Sequence, residues 1–352
     1  MELENSRKRN TTSNIIKLFF CMCFVFVAFL FKNNINAATY GILEYKEINN
    51  GTEIEITGCD KNATGTLNIP STINGKPVTS IGKLAFYRCS GFSGKLVIPK
   101  TVTYIGNQAF EDCSGFTGDL VIPESVISIG SWAFSGCKGF TGDLVIPKSV
   151  TSIGGAAFLD CSGFTGNLVI PNSVTSISDY AFSGCSGFTG SLVIPDSVTS
   201  IGDYAFSGCS GFTGSLVIPD SVTSIGAFAF SRCSGFTGNL VIPNSVTSIG
   251  KWAFRGCSGF TGSLVISDSV TSIGERAFDA CKGFNGKLVI PDSVTSIGEY
   301  AFDECSKIKR VVFYADSPEV GIDCFKRYSS TIVCPIYYRK ATTGFTADNN
   351  YD

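Results

Sequence analysis

The 352 residues are 44% hydrophobic and 16% charged, with a net charge of −2 and no histidine. Such a chain is too apolar to be disordered and offers nucleic acid no basic surface. It also lacks the commonest general base and the commonest metal ligand.

Residues 1–37 read as an export signal. Arg7, Lys8, Arg9 and Lys17 precede an apolar run from Leu18 to Phe31, and small residues follow at Ala37 and Ala38. The run is short for a membrane span and suits a signal-peptide core cleaved near Ala37. The alternative is an uncleaved anchor, and both readings place the remainder outside the cytoplasm. No membrane span is expected unless this segment stays uncleaved. Residues 38–66 form an N-terminal cap. Within it "YGILEYKEINNGTEIEITG" alternates like a hairpin, with Asn50-Gly51 at the turn. A C-terminal cap and tail are expected over 314–352.

Between the caps, residues 67–313 repeat one unit. Ten isoleucines from Ile81 to Ile297 stand 24 residues apart. Each is followed four places on by alanine, then by phenylalanine, and three places later by cysteine. The spacing never slips, as a stacked solenoid requires, because an insertion would turn the inward set of side chains outward. In the 202–225 copy, "LVIP" is a short strand closed by proline, with Leu216 and Ile218 inward and Val217 outward. "SVTSIG" is a second extended piece, "DYAFSGC" is too short for more than a single turn, and "SGFTG" is a glycine turn. In-register "LVI" copies are expected to pair as a parallel sheet at about 4.8 Å per repeat, giving a rod on the order of 50 Å long. The inward set is Ala205, Phe206, Cys209, Phe212, Leu216, Ile218, Val222 and Ile225.

The recurring I-G-x-x-A-F-x-x-C…L-x-I-P-x-S-V-T-x-I-G unit resembles the BspA-type leucine-rich repeat of secreted and cell-surface proteins. "STINGKPVTSIG" at 71–82 resembles that family's opening repeat, and "FYADSPEVGIDCF" at 313–325 its closing segment. The resemblance implies a repeat solenoid: a leucine-rich-repeat-like right-handed superhelix with a parallel β-sheet, about ten 24-residue repeats and caps. It also implies attachment to host proteins or other cells, but no fixed set of binding residues.

Three features are candidates for chemistry. The first is the row of cysteines from Cys89 to Cys305. Equivalent atoms of adjacent repeats lie about 4.8 Å apart, whereas a disulfide wants Cβ atoms near about 3.8 Å. A straight row also cannot surround a zinc ion. These distances favour buried free thiols, although an oxidising exterior favours disulfides. Cys324 and Cys334 lie off the row and could pair.

The second is the residue before each alanine, which includes Trp132, Tyr180, Tyr204, Phe228, Trp252 and Tyr300 among Leu84, Gln108, Ala156 and Arg276. These six aromatics either anchor a ligand along one face or seal the turns beneath them. The third is a pair of polar rows flanking "LVIP", running from Lys95 to Lys287 and from Lys100 to Asp292, which form a recognition face or a solvated rim.

No catalytic motif, cofactor site or metal site is expected. The reading is a non-enzymatic adhesion protein, binding host or neighbouring-cell surface or matrix proteins, or glycans, along an extended face. The alternative is a structural spacer or coat protein with no specific ligand.

Overall fold

The computed structural model describes residues 38–314 and 318–325, and the backbone of two short strands, Ile336–Arg339 and Phe345–Ala347. The export segment and Cys334 lie outside the described residues.

The chain enters through β1 (Ala38–Tyr40), β2 (Leu43–Ile48) and β3 (Glu53–Cys59), an antiparallel meander. The β2–β3 turn holds Asn49, Asn50 and Gly51 at positive φ, where asparagine and glycine are most at ease. A second hairpin, which the sequence reading did not separate out, joins β4 (Thr72–Ile73) to β5 (Lys76–Ile81). Its two loop residues, Asn74 and Gly75, both have positive φ and make the two-residue turn that suits right-twisted strands. β3 then pairs in parallel with β5, so the meander continues into the repeat sheet and covers its first edge.

From β5 onward the solenoid turns once per 24 residues. The "Ser-Ile" dipeptides and their equivalents form in-register parallel pairs in two runs, from Ile81 on Ile105 to Ile129 on Ile153 and from Ile177 on Ile201 to Ile297 on Val320. The "Leu-Val" copies are also in register, for example Leu144 on Leu168 and Leu240 on Leu264. Up to Val265 they make only two-stranded pieces and single bridges, and only the last copy, Leu288–Ile290, enters a four-stranded sheet at the C-terminal end, so the longest sheets belong to "Ser-Ile".

The inward set is as the period predicts. In the 202–225 copy all eight side chains are buried, and Val217 is exposed. Phe86, Phe110, Phe134 and their equivalents stack ring on ring at 5.0–5.6 Å, and Phe325 extends the column beyond Phe302 at 5.2 Å. Phe92, Phe116 and their equivalents form a second column beside it. The polar letters of the repeat bond coil to coil. Ser221 Oγ donates to Val198 O (2.7 Å) and Thr223 Oγ1 to Thr199 O (3.1 Å), and equivalents recur along the array.

The cysteine row is buried and its thiols have a defined partner. Each S–H from Cys113 to Cys305 donates to the phenylalanine carbonyl one coil back, at 2.9–3.2 Å (Cys113 to Phe86 O, Cys209 to Phe182 O, Cys305 to Phe278 O). Burial pushes these thiols up, Cys113 and Cys257 to about 12. They are therefore held as neutral donors, with little thiolate to react. In native protein the thiols from Cys113 to Cys305 should resist a thiol reagent and become reactive on unfolding. Rapid labelling of the folded chain would contradict that arrangement. Cys209→Ala should cost only about 1 kcal/mol, because Phe182 O keeps its second donor, the Cys185 N–H at 3.2 Å.

Candidate recognition surface

The "AF" segment positions the aromatic row. It is built of consecutive turns, with Ala85 N–H bonding to Gly82 O, Tyr87 N–H to Leu84 O and Cys89 N–H to Phe86 O. The alternate amides of Leu84, Phe86 and Arg88 instead donate to the following coil, at Asn107, Ala109 and Glu111 O (3.0, 2.8 and 2.8 Å). This alternation comes with left-handed backbone at two positions per repeat. One precedes the alanine and the other precedes the cysteine.

At the second position four repeats use glycine (Gly136, Gly184, Gly208 and Gly256), as the conformation favours, and the others hold Arg88, Asp112, Asp160, Arg232, Ala280 and Glu304 there. The first position is never glycine. Trp132 (φ 61°), Tyr180 (58°), Tyr204 (57°), Phe228 (57°), Trp252 (61°) and Tyr300 (56°) all hold bulky side chains there. Each does so against a backbone preference of about 1–2 kcal/mol.

The six aromatics do not form one continuous row. Tyr180, Tyr204, Phe228 and Trp252 stack face to face at 4.5, 4.4 and 5.4 Å. Arg276 continues the stack, its guanidinium 4.8 Å from the Trp252 ring and 4.3 Å from Tyr300. The buried Asp279 carboxylate holds both Arg276 (3.4 Å) and Arg255 (3.1 Å). Trp132 stands apart, separated from Tyr180 by the buried Ala156. Trp132 and Tyr180 are exposed, and the other four are half-buried. The stacked rings spend their faces on one another, so a partner meets mainly their edges.

A second surface was visible in the alternation of "LVI" but was not singled out from the sequence. The middle valine of each triplet, from Val97 to Val265, is 46–67% exposed. In-register pairing lines these valines into an aliphatic stripe. The two polar rows flank it. In the N-terminal half they carry Lys100, Asp119, Glu124 and Asp143, which with Val121 and Val145 line an open groove of about 980 Å³. Among the described residues, no three histidine, cysteine or acidic side chains converge as a metal site.

Short parallel strands stacked in register, a copied core and a surface that alone varies define a leucine-rich-repeat solenoid. The chain belongs to the BspA-type leucine-rich repeat family: the model described as "BspA type Leucine rich repeat region (6 copies)" matches residues 79–213, 188–282 and 236–338. Among solved structures, a leucine-rich repeat protein from Bacteroides ovatus is similar, with 25% identity over 86% of this chain and 100% of that one, at a TM-score of 0.50. The pneumococcal vaccine antigen PcpA shares the fold at 16% identity, over 87% of this chain and 88% of that one, also with a TM-score of 0.50. A comparison with curated proteins found no match.

Proposed function

We propose that this protein is exported and acts at or beyond the cell surface as a non-enzymatic binding protein, with a protein partner lying across the valine stripe and its charged groove. The observation that carries this reading is the exposed aliphatic ladder. Isolated surface valines are ordinary, but one exposed valine at the same place in eight successive coils, with a polar rim, is the pattern of an interaction face. A solenoid adds one weak contact per coil, so affinity grows with the number of coils engaged. Membership of the BspA-type family and the signal-like character of residues 1–37 support the extracellular setting. Host or neighbouring-cell surface or matrix proteins are the partners proposed.

The aromatic row is the second reading, favoured by the bulky residues retained in left-handed backbone. Strain of that kind marks functional positions in other proteins. A glycan partner suits it less well, because a sugar needs a free ring face and most of these faces are stacked.

The test is a binding screen of the secreted chain against matrix and cell-surface proteins and glycans, followed by two variants on any ligand found. Val121→Lys with Val145→Lys should weaken binding at least about tenfold. Unfolding should stay within about 0.5 kcal/mol, as for surface substitutions generally. Tyr180, Tyr204 and Trp252 replaced together by alanine should then leave binding intact. The reverse result would move the site to the aromatic row. A chain that binds nothing in the screen would favour the spacer or coat reading.

A further inference from the structure

The first rung of the cysteine row differs from all the others. Every thiol of the row from Cys113 to Cys305 donates to a phenylalanine carbonyl of the preceding coil. Cys89 has no such coil behind it. In its place stands Cys59, the last residue of β3, with the two sulfurs 2.8 Å apart and both side chains buried. Non-bonded carbon atoms rest at about 3.5–4.0 Å, and sulfur is larger than carbon. The pair is thus closer than two separate thiols sit, and closing a bond of about 2.05 Å needs less than about 1 Å of movement. Lys61 completes the group. Its Nζ lies 3.6 Å from Cys89 Sγ and donates to Tyr87 O at 2.9 Å.

We propose that Cys59 and Cys89 form a disulfide that staples the N-terminal cap to the first coil, made by exchange with an external disulfide donor such as oxidised glutathione or a disulfide-bearing oxidoreductase. The Cys89 thiolate attacks one sulfur of the donor, breaking the donor's S–S bond and releasing one donor thiolate. The Cys59 thiolate then attacks Cys89 Sγ, forming the Cys59–Cys89 bond and expelling the second donor thiolate. The pair loses two protons and two electrons, and the donor disulfide is reduced to two thiols. Cys89 suits the attacking role because the adjoining Cys59 thiol and the Lys61 ammonium draw it down to about 7 against the effect of burial. In the dithiol form, Cys59 is pushed up by its hydrogen bond with Cys89 and by burial.

The bond has a structural use. A solenoid frays from its ends, since a terminal coil has only one neighbour. The cap shields the open edge of the first repeat, and a disulfide closing the 59–89 loop removes entropy from the detached state. The other end of the array shows no such pair among the described residues. The interior coils need none, because both faces of each are covered.

The full chain, secreted or incubated with oxidised glutathione, is unfolded without reductant, alkylated, digested and mapped by mass spectrometry. The expected result is a peptide joining Cys59 to Cys89, lost on reduction, with the thiols from Cys113 to Cys305 alkylated. Reduction should also speed protease cleavage within residues 38–66 several-fold and leave cleavage within 201–300 unchanged. Cys59→Ser should lack the linked peptide and show the faster cap cleavage without any reductant. Alkylation of both Cys59 and Cys89 in the unreduced chain, or a bond from Cys59 to any other cysteine, would overturn the proposal. Cap cleavage insensitive to reduction would overturn the stapling role.

Discussion

Gly211→Ala is expected to open the solenoid at one interface, whereas Gly94→Ala is expected to leave it closed. The two glycines serve different ends. Gly94 has φ of +76° and nothing within 4 Å of where a Cβ would stand. Alanine there meets only the left-handed penalty, about 1–2 kcal/mol. Gly211 has no positive φ, but its Cβ would fall inside the envelopes of two backbone oxygens of the preceding coil, Phe188 O and Ser186 O. Neither can rotate away as a side-chain tip could, so the coils must separate. The same approach recurs at Gly115, Gly139 and Gly235. A loss of at least about 3 kcal/mol is expected, the upper end of ordinary overpacking costs, despite the small gain from a stiffer unfolded chain. Native-state hydrogen exchange at Thr213, whose amide reaches Gly190 O across that interface at 3.1 Å, reads the effect locally. Equal loss of protection near the substituted residue in both variants would show that this close approach is not what sets the coil spacing.

The legible part of this fold was its period. Fixed spacing gave the inward set, and alternation put Leu216 and Ile218 inside and Val217 outside. The thiols also fell where spacing and bond geometry placed them. The features that stayed hidden depend on contacts between coils. Nothing in a tyrosine or tryptophan signals left-handed backbone, because that conformation comes with alternate amides reaching the next coil. The mutual stacking of the rings was hidden for the same reason, since it depends on how successive coils align. Cys59 resembles an isolated cysteine until β3 pairs with β5.

One altered letter shows how much a single backbone position controls. Ser178 stands where the other repeats have glycine, and the long "Ser-Ile" sheet divides there, ending at Ile153 and resuming at Ile177. In other coils the glycine amide donates to the isoleucine carbonyl one coil back, as Gly202 N–H does to Ile177 O at 2.8 Å. Here the Ser178 hydroxyl takes that role, donating to Ile153 O at 2.7 Å. The break falls between the coil of Ala156 and that of Tyr180, where the aromatic stack is also interrupted. The substitution was readable in the sequence, but its consequence follows from how closely the backbones approach at that position.

The interior and exterior ring columns offer the sharpest comparison of what holds the array together. Tyr204 lies nearer its neighbours than Phe206 does to its own: 4.5 and 4.4 Å to Tyr180 and Phe228, against 5.5 Å to both Phe182 and Phe230. If stacking were the main source of stability, Tyr204→Ala would be the more damaging change. Phe206, however, is fully buried, and Tyr204 is half-exposed. Removing a buried phenyl loses its transfer free energy and leaves a cavity that two flanking rings cannot both fill, costing about 3–5 kcal/mol. Removing the outer ring loses two stacking contacts of about 0.5–1.5 kcal/mol each, and alanine is as tolerable as tyrosine in that backbone, as Ala156 shows at φ 54°. Phe206→Ala should therefore lower the free energy of local opening across 177–233 by at least about 1 kcal/mol more than Tyr204→Ala, measured by hydrogen exchange because a repeat array need not unfold as one unit. A larger loss from Tyr204→Ala would assign the aromatic row to the packing of the solenoid and leave the valine stripe as the surface available to a partner.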